Sequence, residues 1–234
     1  MSRSVLVTGG NRGLGLTIAR AFAEAGDRVA VTHRGSGAPA GLLGVRCDVT
    51  DSGQVAAAFE EIRAAHGAVE VLVSNAGITE DALIMRMREE AFTRVVDVNL
   101  TGAFRVARAA VTDMLRMRHG RMIFISSVTG LKGVPGQVNY AASKAGLIGL
   151  ARTLAREVAS RGVTANVIAP GLLETDLTRG LPARYRDRMI GEVPLGRPAT
   201  LDEVASAVLW LASDGASAVT GQVIHVDGGG SLGH

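Results

Sequence analysis

The stretch that decides the fold lies near the start of the chain and reads Ser4-Val5-Leu6-Val7-Thr8-Gly9-Gly10-Asn11-Arg12-Gly13-Leu14-Gly15. Its first four residues predict a buried strand, and the apolar spacing that follows predicts a helix over Leu14–Ala25. A glycine-rich turn between them lets backbone approach a pyrophosphate at the positive end of the helix. A tight turn without a ligand is the plainer alternative, but the flanking strand and helix favour dinucleotide binding. The predicted cofactor contacts in the turn are Gly9, Asn11, Arg12, Gly13, Leu14 and Gly15.

The same alternation of short apolar runs and helical stretches continues to the end of the sequence. Each run is apolar on both faces, which is typical of strands buried between two helical layers. The pattern predicts an α/β fold: one domain over residues 1–234, with a Rossmann-type, doubly wound, seven-stranded parallel sheet and helices on both faces. The further strand candidates are Val29–Thr32, Val45–Cys47, Val69–Ser74, Met122–Ile125, Thr164–Ile168 and Val223–Val226. The further helix candidates are Ser52–His66, Glu89–Arg118, Tyr140–Arg161 and Leu201–Ala212.

Composition excludes several classes of protein. The 25 basic and 22 acidic residues give a net charge of +3, and the arginines are scattered, so a polybasic nucleic-acid binder is not expected. The single cysteine, Cys47, cannot form an internal disulfide, and the histidines show no metal-ligand spacing. No apolar run approaches the length of a membrane span. We therefore expect a cytoplasmic protein with no bound metal.

The residue after the second strand indicates which dinucleotide is bound. An NAD site places a carboxylate there for the ribose hydroxyls, but this sequence has Arg34. Arg34 and Arg12 together would place two guanidinium groups around a 2′-phosphate. The alternative is a solvated arginine, which is common in an arginine-rich chain. The sequence favours NADP(H).

A set of motifs extends over essentially the whole chain. Thr8-Gly9-x-x-x-Gly13-x-Gly15 is followed by Asn75-Ala76-Gly77, Asn99, Ser127 and Tyr140-x-x-x-Lys144. In order and spacing these resemble the short-chain dehydrogenase/reductases. Further segments, such as Met85-Arg86-Met87, resemble the actinobacterial branch of the bacterial 3-oxoacyl-[acyl-carrier-protein] reductases. The resemblance implies NADPH-dependent reduction of a β-keto thioester to the 3-hydroxyacyl thioester in fatty acid biosynthesis.

Four residues carry the predicted catalysis. Tyr140 and Lys144 are four apart on a predicted helix, so their side chains share one face. A neighbouring ammonium favours the phenolate, so we expect a lowered pKa for Tyr140, which would act as general acid. The resemblance implies that Ser127 polarises the substrate carbonyl and that Asn99 keeps a water that relays protons to Lys144. The alternative for the Tyr–Lys pair is a packing contact, but Lys144 is one of only two lysines, with Lys132.

The resemblance also assigns cofactor contacts further along the chain. Asp48 and Val49 would contact the adenine, and Asn75 and Gly77 would lie along the cofactor. A Pro-Gly loop would contact the carboxamide. Strand-end turns are the alternative for these positions. The loop residues concerned are Pro170, Gly171, Leu173 and Thr175.

Substrate and partner contacts are hypotheses. The segment 172–198 is predicted to be a substrate lid, and Met85 and Met87 would line an acyl chain unless they are core residues. Arg118 and Arg161 match positions that face the acidic acyl carrier protein in the family, although solvated helix ends are an equal alternative. The resemblance further implies a homotetramer.

Two other functions stay open from the sequence. A reductase of the same family acting on a polyketide intermediate or another ketone would differ mainly in the lid. A non-catalytic NADPH-binding sensor would show a damaged set of catalytic residues, whereas Asn99, Ser127, Tyr140 and Lys144 are all present.

Overall fold

A parallel sheet of seven strands, in the order β3-β2-β1-β4-β5-β6-β7, organises the molecule. The computed structural model describes residues 2–173, 187–188 and 190–232. The predicted α/β fold class and the predicted strands are confirmed. The strands are β1 (Ser4–Val7), β2 (Arg28–His33), β3 (Leu43–Arg46), β4 (Val71–Ser74), β5 (Gly120–Ile125), β6 (Val163–Pro170) and β7 (Val223–Val226).

Helices cover the two faces of this sheet. They are α1 (Gly13–Glu24), α2 (Ser52–His66), α3 (Glu89–Val96), α4 (Gly102–Met117), α5 (Thr129–Lys132), α6 (Val138–Val158) and α7 (Leu201–Leu211). Helix α7 begins with the capping box between Thr200 and Glu203 that its sequence indicates.

The prediction of one continuous helix over Glu89–Arg118 is wrong in one respect. Between α3 and α4 lies a π-helical turn, Asp97–Thr101, in which the Gly102 amide donates to the Asp97 carbonyl. A single π-helical turn shifts the apolar spacing by only about one residue, so the pattern does not separate it from the α-helix on either side. The short helix α5 is also absent from the sequence prediction.

Successive residues of each central strand enter two different cores, which explains why the strands are apolar throughout. In β1, Leu6 packs with Phe59 of α2 and Met114 of α4. Its neighbours face the other layer, in which Val5 packs with Phe22 of α1. Because helices bury both faces, the carboxyl edge of the sheet is where loops and functional groups collect.

The described part of the chain contains neither a membrane-spanning helix nor a cluster of metal ligands. No helix there combines the length and the apolarity that a bilayer crossing needs. No group of three or more histidine, cysteine or acidic side chains there is arranged to hold a metal ion.

Candidate active site

The predicted site residues converge at the carboxyl edge of the central strands. Thr8 follows β1, Asn75 follows β4 and Ser127 lies just after β5. The sheet order places β2 on one side of β1 and β4 on the other, so the chain connections diverge between β1 and β4. Ligands of doubly wound folds bind in the crevice that this divergence creates.

The glycine turn after β1 is packed too tightly at Gly15 to accept a side chain there. The Asn75 amide Nδ2 donates to the carbonyl of Thr8 at 2.9 Å, and Thr8 Oγ1 accepts from the Asn75 amide at 3.0 Å. A Cβ atom on Gly15 would lie 2.5 Å from Asn75 Nδ2 and 2.6 Å from the Gly9 carbonyl oxygen. The two loops therefore interlock, which makes Asn75 a structural partner of the turn.

The start of α1 is suited to an anion. Arg12 is the N-cap residue, its side chain caps nothing, and the first turn contains no acidic residue. Nothing lies within 4 Å of the position that a Gly13 Cβ would occupy. The helix thus presents amide groups and open space to a phosphate, so the residues present fit a dinucleotide pyrophosphate. Leu14, the next residue, is half-buried.

The arginines predicted to select the cofactor lie on two loops that contact each other. Asn11 Nδ2 of the glycine turn donates to Ser36 Oγ of the loop after β2 at 2.7 Å. Arg12 and Arg34, one on each loop, are exposed, and neither forms a salt bridge within the described part of the chain. Two exposed guanidinium groups on adjoining loops suit a doubly charged anion.

Asp48 and Val49 form the neighbouring wall after β3. Hydrogen bonds from the backbone and side chain of Thr50, together with the charge of Arg34, hold the pKa of Asp48 below its ordinary value. The influence of Arg34 shows that its guanidinium lies close to this wall. Val49 is buried against Gly102 at the start of α4, where an added Cβ would approach Val49 Cγ2 to 2.7 Å.

Lys144 is buried beside Tyr140 on α6. Its Nζ lies 5.5 Å from the centre of the Tyr140 ring and donates to the Ile125 carbonyl at 2.7 Å. Burial lowers the pKa of Lys144 to about 8. The ammonium is therefore still largely protonated at pH 7, but it releases its proton far more readily than an exposed lysine.

The pKa of Tyr140 is raised, opposite to the expected direction. Burial contributes most to the rise, a hydrogen bond with Ser127 lowers the pKa by less, and the charge of Asp81 adds to the rise. The expectation of a lowered pKa is wrong for the protein alone because desolvation of the phenolate dominates. The consequence is a Tyr140 that carries its proton at neutral pH, as a general acid must.

Asn99 lies in the π-helical turn and is almost fully buried. Its Oδ1 accepts from the Ile78 amide at 2.8 Å, and its Nδ2 donates to the Ile78 carbonyl and to Ser143 Oγ, both at 3.0 Å. Ser143 Oγ donates in turn to the Tyr140 carbonyl at 2.8 Å. Both amide hydrogens of Asn99 are thus used internally, and this side chain could hold a water only through Oδ1.

Gly77 lies beside both buried polar side chains of the site, Asn99 and Lys144. A Cβ atom on Gly77 would lie 3.2 Å from Asn99 Oδ1 and 3.5 Å from Lys144 Nζ. Asn99, Gly77, Lys144 and Tyr140 therefore form one contiguous group.

Comparison with known proteins agrees with this geometry. A family model described as enoyl-(acyl carrier protein) reductase matches residues 9–231. The 3-oxoacyl-[acyl-carrier-protein] reductase MabA of Mycobacterium tuberculosis is 57% identical over 234 residues, which cover 100% of this chain and 95% of that protein. The 3-oxoacyl-[acyl-carrier-protein] reductase FabG of Escherichia coli is 47% identical over 232 residues, covering 96% of this chain and 95% of that protein. The chain belongs to the short-chain dehydrogenase/reductase family.

The remaining positions that are predicted to contact the cofactor in this short-chain dehydrogenase/reductase lie at or after the end of β6. Pro170 is buried, and Gly171 packs so closely that an added Cβ would approach Asp227 Cβ to 2.5 Å. Leu173 forms an isolated bridge with Ala199. Thr175 and most of the predicted lid lie outside the described residues.

The two methionines predicted to line an acyl chain are not buried in the core. Met85 is 89% exposed and Met87 is half-buried. Leu83 and Ile84 are exposed beside them, so the loop before α3 presents an apolar ridge, Leu83–Met85, to solvent. The core alternative is therefore wrong for Met85, and a role with an acyl chain stays a prediction.

The two arginines assigned to the carrier protein lie at the opposite edge of the sheet. Arg118 lies between α4 and β5, and Arg161 precedes β6; both are exposed. A Cβ on Gly162 would approach the Arg118 carbonyl oxygen to 2.7 Å, so the two loops adjoin. The structure thus brings these arginines together but separates them from Ser127 by the length of β5, about 20 Å.

Several buried polar residues outside the predicted site hold the catalytic helix in place. Asn139 is fully buried, donates to the Glu80 carbonyl at 2.9 Å and accepts from the Tyr140 amide at 2.7 Å. Ser126 Oγ donates to the Lys144 carbonyl at 2.8 Å. The sequence contains one sign of this arrangement. Asn139 and Ser143 are polar, lie four residues apart and thus share a helix face, and each precedes a catalytic residue by one position.

Proposed function

We propose that this protein is an NADPH-dependent 3-oxoacyl-[acyl-carrier-protein] reductase of fatty acid biosynthesis, which reduces a β-keto thioester to the 3-hydroxyacyl thioester. The observation that carries the proposal is a half-buried Tyr140 with a raised pKa, hydrogen-bonded to Ser127 and adjacent to Lys144. The names of the relatives MabA and FabG support the choice of substrate.

The chain's own residues account for the proton side of the reaction. NADPH, when bound, supplies the hydride that reaches the β-carbon. Tyr140 transfers its phenolic proton to the carbonyl oxygen, while the Ser127 hydroxyl donates a hydrogen bond to the same oxygen. The Lys144 ammonium stabilises the phenolate that remains. One hydride and one proton convert the ketone into the alcohol, and Tyr140 then regains a proton.

The choice of NADPH over NADH rests on the loops around the adenine ribose. Arg12 and Arg34 are exposed on adjoining loops, and His33 and Arg34 stand at the end of β2, where an NAD site has a carboxylate. Replacing Arg34 with aspartate is expected to raise the KM for NADPH much more than the KM for NADH. Equal increases would contradict a 2′-phosphate contact.

A second candidate is reduction of an enoyl thioester, which the description of the matching family model suggests. The site favours the ketone, because two hydroxyl groups, those of Ser127 and Tyr140, are hydrogen-bonded to each other. A β-keto group offers one oxygen that both can contact at the carbon receiving hydride. A carbon–carbon double bond has no such oxygen.

Carrier binding and assembly are part of the proposal. Arg118 and Arg161 supply a positive surface for the acidic carrier protein, but they face away from the catalytic edge of their own subunit. A homotetramer would let a carrier seated there serve a neighbouring subunit, and the exposed Phe92 and Phe104 of α3 and α4 support a contact between subunits. Alanine at both arginines should raise the KM for the carrier-bound substrate but not for the coenzyme A thioester.

The cytoplasmic location and the lid over 172–198 stay predictions.

The deciding experiment compares three substrates with purified enzyme and NADPH: an acetoacetyl thioester, a crotonyl thioester and an unrelated ketone. We expect turnover of the acetoacetyl thioester alone to be efficient. Faster turnover of the crotonyl thioester would favour the enoyl candidate, and turnover of only the unrelated ketone would refute the proposed substrate class.

A matched variant separates an enzyme from a sensor. Tyr140→Phe should lower kcat by about 10²–10⁴-fold, as loss of a general acid does, while NADPH binding measured by fluorescence is retained. An unchanged kcat would remove the catalytic assignment.

A further inference from the structure

The imidazole of His33 organises the loop that carries Arg34. Its Nδ1 accepts hydrogen bonds from two backbone amides, that of Gly35 at 3.1 Å and that of Gly37 at 3.3 Å. A backbone amide can only donate, so Nδ1 carries a lone pair and the ring proton lies on Nε2. The side chain thus provides an acceptor for two loop amides that lie beyond the end of β2.

The loop has a conformation that its own sequence does not stabilise. Gly37 has a φ of 76°, in the left-handed region, and the loop residues 34–37 are exposed. An exposed loop with two glycines among four residues has high conformational entropy when free. The two bonds to His33 are the contacts within the loop that oppose this freedom.

A further hydrogen bond joins this loop to the glycine turn. Asn11 Nδ2 donates to Ser36 Oγ at 2.7 Å, and Ser36 lies between the two glycines that His33 binds. Arg12 follows Asn11 on one loop, and Arg34 follows His33 on the other. The backbone from which Arg34 projects is therefore held against the loop of Arg12 by the His33 ring and by the Asn11–Ser36 bond.

We propose that His33 is a positioning residue that sets the preference for NADPH over NADH, by holding the loop 34–37 so that Arg34 and Arg12 face one 2′-phosphate. The inference rests on the proposed use of NADPH. His33 affects the binding of the 2′-phosphate on the adenine ribose through Arg34, and it takes no direct part in hydride or proton transfer. A preformed pair of arginines avoids the cost of ordering both when the phosphate arrives.

The primary test measures dissociation constants of the intact protein for NADPH and NADH by fluorescence titration, with KM values as a second readout. His33→Leu removes the acceptor, and we expect the NADPH constant to rise about tenfold, equal to about 1.4 kcal/mol, with less than a twofold change for NADH. His33→Asn is the conservative variant, because an asparagine oxygen accepts from the amide two residues later. It should restore most of the NADPH affinity.

A double-variant cycle tests whether His33 acts through Arg34. In an Arg34→Met background, His33→Leu should change the NADPH constant by less than about twofold, because the group that it positions is gone. A tenfold effect that persists in this background overturns the inference. His66→Leu is the matched control, since the buried Nδ1 of His66 has no partner in the described part of the chain and is remote from the loop.

The outcomes separate the two levels of the argument. If the wild-type protein binds NADH as tightly as NADPH, the proposed cofactor and the role of His33 both fail. If it prefers NADPH but His33→Leu leaves the ratio unchanged, raises both constants equally, or is not rescued by His33→Asn, only the role of His33 fails. A selective loss that His33→Asn restores supports both.

Discussion

Replacing Ser143 with alanine removes a hydroxyl that is completely buried between α6 and the π-helical turn. This hydroxyl accepts from Asn99 Nδ2 at 3.0 Å and donates to the Tyr140 carbonyl at 2.8 Å. The carbonyl lies within α6 and keeps its helical partner, but the Asn99 amide hydrogen is left without an acceptor. A buried donor left unsatisfied costs about 1–3 kcal/mol. For a chain of 234 residues, each kcal/mol lowers Tm by about 2–4 °C, so that loss lowers Tm by about 2–12 °C.

Ser126→Ala provides the matched control. Ser126 Oγ is also buried and donates to the Lys144 carbonyl at 2.8 Å, but among the residues that the structure describes no donor depends on it as an acceptor. Its loss should cost about 1 kcal/mol or less, because the Lys144 carbonyl remains in the helix. Urea unfolding of both variants gives the two free energies of unfolding. If the two variants lose the same free energy of unfolding within about 0.5 kcal/mol, the unsatisfied Asn99 amide does not account for most of the Ser143→Ala effect, and the argument is refuted.

A second measurement tests the link to Asn99 directly. If the Ser143–Asn99 bond carries the effect, Asn99→Ala and Ser143→Ala should be non-additive by about 1 kcal/mol or more in the double variant. Since Ser143 holds the backbone of Tyr140, we also expect Ser143→Ala to lower kcat while the KM for NADPH changes little. Additive stabilities with an unchanged kcat would leave Ser143 without a positioning role.

Three further predictions follow from the site. The unfolded chain keeps the Lys144 proton to about pH 10.4 and the folded chain loses it near 8. The free energy of unfolding of the wild type should therefore rise between pH 8 and 10, relative to Lys144→Met, by roughly 2–3 kcal/mol; a fall would contradict the lowered pKa. The charge of Asp81 raises the pKa of Tyr140. Asp81→Asn should thus move the pH profile for oxidation of a 3-hydroxyacyl thioester, which needs the phenolate, to lower pH; an upward shift would refute this. Gly15→Ala places a methyl 2.5 Å from Asn75 Nδ2. It should destabilise the fold by about 1–3 kcal/mol and abolish NADPH binding in a fluorescence titration, whereas retained binding would show that the turn can rearrange.

The position of Asn99 illustrates how the fold serves the site. The π-helical turn Asp97–Thr101 places this side chain inward, where it bonds to Ile78 of the loop after β4 and to Ser143 of α6. The amide therefore joins three elements of the active site. These hydrogen bonds give Asn99 a structural role in placing Tyr140.

Much of the architecture was predictable because its causes are local. Buried parallel strands are continuous apolar runs, so β1 to β7 were found in the sequence close to their observed bounds. The glycine turn after β1 and the spacing of Tyr140 and Lys144 were predictable for the same reason, because each depends only on residues that are close together in the sequence. These features were enough to indicate the family and the edge of the sheet that carries the site.

The tertiary structure decided what depends on contacts between distant segments. The direction of the Tyr140 pKa depends on burial, which outweighs the nearby ammonium that spacing reveals. The separation of Arg118 and Arg161 from the catalytic edge depends on the sheet topology. The role of His33 depends on how the chain turns back after β2. Sequence determines which groups are present and their local spacing, whereas desolvation and hydrogen-bond partners are set only when the chain is packed.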